Sequence, residues 1–258
     1  MDFKVVRNNI ANMAVDAIVL PANPQLRVGS GASKAIFDAA GSKQLEKECN
    51  KRLKELKRAS INLAPGMSVA THAYDLPSQV ILHTIVPKWL DGHHGEYDEL
   101  CMAYLASLSL ADKMGISSIA FPLLSAGNNG FDIDIAIEVA VKSIEHYQPV
   151  NDLSEVYLVM FGEYATKKMR DFGYEVEEYI DQRDVKGQAA AQGFMVSHSR
   201  KKLNKDVDRL ISIATDWLKE PDNRKKLMRA AYKVMLVVVS AEFPEYVDVL
   251  KVFEPKNG

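Results

Sequence analysis

Short apolar runs and longer amphipathic runs alternate along most of the chain. Phe3-Lys4-Val5-Val6 alternates enough for a short first strand, and Asp16 to Leu20 is a continuous apolar run of the kind buried on both faces of a sheet. From Ser42 to Arg58, Leu45, Cys49, Leu53 and Leu56 recur at helical spacing, predicting a helix capped by Ser42. The rest of that helix mixes Lys, Arg and Glu, charges that read as solvated. Pro65-Gly66 marks a turn, and strands are expected over Met67 to Ala73 and Gln79 to Val86. Glu96 to Met114 carries Leu100, Tyr104, Leu108 and Ala111 on one stripe and should form a helix stopped by Gly115. Ser118 to Leu123 is a further buried strand, and Asp132 can cap a helix reaching about Tyr147. Strands over Glu155 to Phe161 and Tyr174 to Ile180 complete this part.

Strands alternating with helices predict a three-layer α/β/α fold with a mixed, largely parallel central sheet. Ligands of such sheets bind at the carboxyl ends of strands. The character changes near residue 183. Residues 184–193, DVKGQAAAQG, are small and polar and read as a linker. Beyond them Val207, Leu210, Ile211, Ala214, Trp217 and Leu218 make a helical stripe, and a second helix is expected over Asn223 to Ser240. The expected division is an α/β domain over 1–183, a linker over 184–197 and a helical extension over 198–258. That extension should pack on the α/β domain or on a second copy, making an oligomer through these helices.

Two loops carry the candidate chemistry. After the strand ending at Leu20 the sequence runs PANPQLRVGSGASKAIFDAAG, with helix expected from Lys34 to Ala40. Gly29 and Gly31 allow backbone amides to approach an anion, while Ser30 and Ser33 offer hydroxyls. A tight strand-to-helix turn explains the same glycines equally well. The loop fits neither GxGxxG nor GxxxxGK[ST], which argues against a dinucleotide-fold or Walker site. The second loop, Ser125 to Gly130, also follows a strand, so both can lie on one rim and clasp a diphosphate without metal or lysine.

Three ordered segments resemble the macro domain family. They are VDAIVLPANPQL with GSGASKAIFDAAG, then LPSQVILHTIVPKW, then SIAFPLLSAGNNGFD. The resemblance covers roughly residues 1 to 180 and implies a site for ADP-ribose or for ADP-ribosyl groups on a protein. It implies that Gly29, Ser30, Gly31 and Ala32 face one phosphate and the distal ribose. Ser125, Ala126, Gly127, Asn128, Asn129 and Gly130 would cover the diphosphate. Asn23, next to Ala22, would hold the distal ribose, with Phe131 against that sugar and Val86 on the wall. Asn9, next to Ile10, would stand at the adenine.

The chain departs from the family pattern at four places. Asn9 replaces an Asp that reads the adenine amine, removing the charge-assisted part of that bond. Ser33 stands where hydrolytic members carry an Asp, and reads as the cap of its helix with Lys34 solvated beside it. Asn128-Asn129 replace an apolar and an aromatic residue, and Pro21 replaces an Asn. The resulting expectation is a binder of ADP-ribose or of ADP-ribosyl groups. The alternatives are an ADP-ribosyl or O-acetyl-ADP-ribose hydrolase with Asn23 as its catalytic residue, and a degenerate macro fold serving as a protein-interaction module.

Composition narrows the partners. The 258 residues carry a formal net charge of -2, with 47% hydrophobic and 26% charged positions. This balance gives no general pull toward nucleic acid, and the basic stretches 199–205 and 223–226 have acids close by. No apolar run is long enough to cross a bilayer, and MDFKVVRNNI does not read as a secretory leader, so a cytoplasmic location is expected. Cys49 and Cys101 are far apart and form no CxxC, which argues against a disulfide scaffold and a cysteine zinc site. No metal or cofactor is expected. His83, within an apolar strand, reads as a core histidine.

Overall fold

A computed structural model describes residues 1–179 and 207–220, together with 222, 223, 225 and 226. Seven strands run in the order β3-β4-β2-β5-β6-β1-β7. They are β1 (Asp2–Arg7), β2 (Ala17–Ala22), β3 (Ser68–His72), β4 (Val80–Ile85), β5 (Ser118–Pro122), β6 (Glu155–Met160) and β7 (Val176–Glu178). All neighbours pair in parallel except β3 with β4. The helices are α1 (Ala32–Ala39), α2 (Ser42–Arg58), α3 (Glu96–Lys113), α4 (Ile133–Glu145), α5 (Glu163–Asp171) and α6 (Val207–Lys219), with a 3₁₀ turn at Ile10–Asn12.

The central strands are buried on both faces, so they read as unbroken apolar runs. Successive residues feed two separate cores. Val19, Leu82 and Phe121 pack with α3 and α4. Ile18, Leu20, Ile81 and Ala120 face the other way, onto Ile36 and Phe37 of α1 and Leu45 and Leu56 of α2. This is the expected three-layer arrangement. His83 lies fully buried in the second layer, its Nε2 2.8 Å from Thr71 Oγ1, and burial lowers its pKa to about 4. It is therefore a neutral core residue. Both cysteines are buried and neither is in a disulfide, and burial pushes each thiol up to about 12.

Several boundaries differ from the sequence reading for local reasons. Asp132 caps α4 as expected, its Oδ1 accepting from the amides of Asp134 and Ile135. Ser42 does not cap α2. Gly41, at φ 80°, is the cap residue, and the Ser42 hydroxyl donates back to the Phe37 carbonyl. α1 begins at Ala32 rather than Lys34, and β7 is shorter than the run from Tyr174 to Ile180. α5 was not expected. It is only nine residues long and buries only Thr166 and Met169, too few positions to show a period.

α6 lies against edge strand β3 and against α3. Ile211 and Ala214 are buried in the α3 core, and Trp217 packs on it. An edge strand covered by a helix cannot pair with another chain. The expected packing of the extension on the α/β body thus holds for α6. The linker at 184–193 and nearly all of the helix expected over Asn223 to Ser240 lie outside the described residues. No helix among the described residues is long and apolar enough to cross a membrane.

Candidate functional site

β2 is the strand where the chain's connections part. It pairs with β4 over its whole length, through Ala22↔Ile85, but with β5 only at Ala17↔Ile119 and Ile18↔Ala120. Beyond Ile18 the two strands separate. α1 leaves β2 on one face of the sheet, and α4 leaves β5 on the other. Such a switch point opens a crevice at the carboxyl ends of the strands. Pro21 stands in this unpaired stretch, where its missing N–H costs no ladder bond.

The expected residues follow these strand ends in one row. Val86 follows β4, and its amide reaches the Ala22 carbonyl at 3.4 Å. Asn23 follows β2, the loop from Leu123 follows β5, and Asn9 stands near the end of β1. Three strand spacings separate Asn23 from Asn9, about 14 Å at about 4.8 Å each. The rim therefore suits an elongated ligand.

Asn23 organises the first loop. Its Oδ1 accepts from the amides of Gln25 and Arg27, both at 3.1 Å, and its Nδ2 donates to the Arg27 carbonyl at 2.8 Å. These bonds hold Leu26 buried with φ at 50°. The loop ends at Gly31, φ 57° and ψ −128°, a conformation that calls for glycine. Beyond it Ala32, Ser33 and Lys34 make the first turn of α1, whose amides have no intrahelical acceptor. The end of α1 is thus open to an anion.

Ser33 is not the expected helix cap, because Gly31 fills that position without a side-chain bond. Ser33 is 3% exposed, and its Oγ accepts from the Gly29 amide at 3.1 Å. A Cβ on Gly29 would lie 3.2 Å from that oxygen, so the close approach is what Gly29 provides. Lys34 is exposed and paired with Asp38, as a solvated first-turn residue.

The second loop is held by its neighbours. Ser125 takes φ 62°, uncommon for a residue with a side chain, and its hydroxyl donates to the Pro87 carbonyl. The Phe131 amide donates to the Ser125 carbonyl, and the Gly130 amide, at φ 81°, to the Gly127 carbonyl. Trp89 donates its amide to the Asn129 carbonyl and sets its ring edge-on to Phe131, centroids 5.2 Å apart. Phe131 is consequently 4% exposed. Trp89 in turn sits on a loop gathered by Glu96, whose carboxylate accepts from the amides of Leu90, Asp91, Gly92 and His94. Burial alone would raise the Glu96 pKa, but these amides outweigh it and bring it to about 2.

The two loops meet. Asn128 Nδ2 donates to Ser30 Oγ at 2.5 Å, closing a bridge between residues 98 apart in sequence. At the other end Asn9 caps the 3₁₀ turn, its Oδ1 accepting from the Ala11 amide, and Ile10 and Ala11 are buried below. One rim residue escaped sequence reading. Phe161 follows β6, opposite Asn8, and is 69% exposed. The only signal for it was an apolar run continuing past the end of a strand.

A family model described as the macro domain matches residues 19–140. An Escherichia fergusonii protein named O-acetyl-ADP-ribose deacetylase is 40% identical over 160 residues, spanning 62% of this chain and 88% of that one. A protein of Caldanaerobacter subterraneus named as macro domain-containing is 34% identical, spanning 62% and 89%. The chain belongs to the macro domain family. Among solved structures, the Oceanobacillus iheyensis macrodomain with ADP matches with TM-score 0.60 and 30% identity, over 65% of this chain and 87% of that one. The Trypanosoma brucei macrodomain in complex with ADP-ribose matches with TM-score 0.53 and 28% identity, over 66% and 68%. The matched portion leaves α6 of this macro domain protein outside the family model.

Proposed function

We propose that this macro domain binds ADP-ribose, free or attached to a protein, along the rim from Asn23 to Asn9. The observation that carries this reading is the pair of loops that follow β2 and β5 and meet at the Ser30–Asn128 bond. Ser30 to Ala32 and Ala126 to Asn129 offer backbone amides on the two sides of a diphosphate, and the first turn of α1 adds its positive end. Asn23 has one Nδ2 hydrogen left to donate at the distal ribose, and Val86 and Phe131 bound that pocket. Asn9 and exposed Phe161 take the base, one by hydrogen bonding and one by its ring face. Residues 1–183 act as the binding domain, and 198–258 as an extension anchored through α6. Titration calorimetry with ADP-ribose on the full chain tests this. Saturable binding is expected, and none at millimolar ligand with folded protein would end it.

A second reading is favoured by the relatives named O-acetyl-ADP-ribose deacetylase. In it, Asn23 positions water against the acetyl ester of the bound nucleotide. Ser33 is not the base of such a step, since its oxygen is engaged under the loop by the Gly29 amide. The proton would pass to the ligand's own phosphate. Release of acetate from O-acetyl-ADP-ribose, lost in Asn23→Ala, is the measurement that separates an enzyme from a binder.

A further inference from the structure

The outer face of α2 takes no part in the rim. By composition this helix mixes acids and bases, but the fold sorts them. Glu48, 7% exposed, accepts from Arg52 Nη2 at 3.0 Å, from Tyr74 Oη at 2.8 Å and from the His72 amide at 3.2 Å. Glu55 accepts from Arg52 Nη1 at 3.0 Å. Both acids therefore turn toward a half-buried arginine at the flank of β3. Lys43, Lys47, Lys51, Lys54, Lys57 and Arg58 remain outside, all exposed. None of the six has an ion pair with another described residue.

At 3.6 residues per turn these six cations fall within an arc of about 120°, and Glu46 lies at its margin. From Lys43 to Arg58 the stripe is about 22 Å long, with charges roughly every 4.5 to 6 Å along the axis as far as Lys57, and Arg58 directly after it. The whole chain carries -2, so this is local segregation and not a general basic excess. No aromatic or large aliphatic side chain stands among the six, so the face lacks both the apolar anchors of a protein interface and stacking platforms for bases. What it presents is a straight, rigid row of point charges.

We propose that the outer face of α2 binds the phosphate backbone of a nucleic acid duplex without reading its sequence. One strand of a duplex carries a phosphate about every 3.4 Å of axis, so the stripe spans roughly six. The cations sit on a helix held by Leu45, Cys49 and Leu56 in the core, so the backbone that carries them needs no reordering on binding. This site is independent of the rim and of the ligand proposed there.

The test is fluorescence anisotropy of the full chain with two labelled 20-base-pair DNA duplexes of unrelated sequence, from 50 to 200 mM salt. Expected is micromolar binding, equal for both, with a log–log salt slope between about −3.6 and −5.4 for four to six neutralised phosphates. The triple variant Lys47→Glu, Lys51→Glu, Lys54→Glu should lose at least tenfold, and the corresponding Gln variant less. Lys113→Glu with Lys167→Glu, exposed but elsewhere, should lose less than twofold. Circular dichroism of each variant checks folding, and the Gln variant decides if the Glu variant does not fold. Absence of binding at 50 mM salt, equal losses in the control, or tighter binding to anionic vesicles or polyglutamate than to duplex would overturn the proposal.

Discussion

The Asn128 amide and the Ser30 hydroxyl join across the mouth of the crevice, 2.5 Å apart and both exposed. The Ser30 loop is otherwise held by its own bonds and the Asn128 loop also by Pro87 and Trp89, so this contact couples two segments that are anchored separately. In the proposed binding mode the ligand lies beneath this bond and must leave past it. An exposed neutral hydrogen bond contributes about 0.5 kcal/mol net, near the lower end of its usual range. Ser30→Ala and Asn128→Ala should each speed ADP-ribose dissociation about twofold in stopped-flow measurements. The double variant should match the single ones, because they remove one bond. Additive effects would show that the two side chains act independently.

Asn23 has two roles that substitution can separate. Asn23→Ala leaves the Gln25 and Arg27 amides without their acceptor and should cost about 1–2 kcal/mol of stability. Asn23→Asp keeps the acceptor but loses the Nδ2 donor to the Arg27 carbonyl, so it should recover only part of the thermal midpoint. Its charge would face the diphosphate, so calorimetry should still show weakened ADP-ribose binding. Equal binding by the Asp variant and the parent would remove Asn23 from the ligand.

The architecture was legible because its signals are local. The run from Asp16 to Leu20, the stripe through Leu45 to Leu56 and the Asp132 cap each follow from residues a few positions apart. The rim order was legible only through resemblance, since strand order is a long-range property. Ser42 and Ser33 misled as caps because glycines just before them, at positive φ, turn the chain into each helix. The basic face of α2 was hidden for another reason. Glu48 and Glu55 lie off it by helical phase, and Arg52, His72 and Tyr74 hold them there, two of those partners arriving from β3 and the turn after it.

Ser33 is a structural residue of the first loop. Ser33→Ala removes the acceptor of the Gly29 amide and should lower stability by about 1 kcal/mol, read by chemical unfolding. Any acetate release from O-acetyl-ADP-ribose should stay within about threefold of the parent. A loss of a hundredfold or more, in protein that still binds ADP-ribose, would place the hydroxyl in the reaction.

Glu96 links acidity to the loop that sets Trp89 against Phe131. Its folded pKa, about 2, lies below the ordinary 4.5, so the folded state favours the ionised form. The stabilisation is therefore complete above about 4.5 and is lost as pH falls toward 2. Protonation weakens the bonds to Leu90, Asp91, Gly92 and His94, and with them the support for Trp89 against Phe131. Glu96→Gln keeps a carbonyl acceptor without the charge. Its thermal midpoint should fall below the parent's at pH 6, and the gap should shrink as pH drops below about 4.5, to roughly a quarter of its size at pH 2.5. Trp89 fluorescence, measured in a Trp217→Phe background, should follow the same course. A gap constant from pH 6 to 2.5 would mean that the carboxylate's charge does not hold this loop.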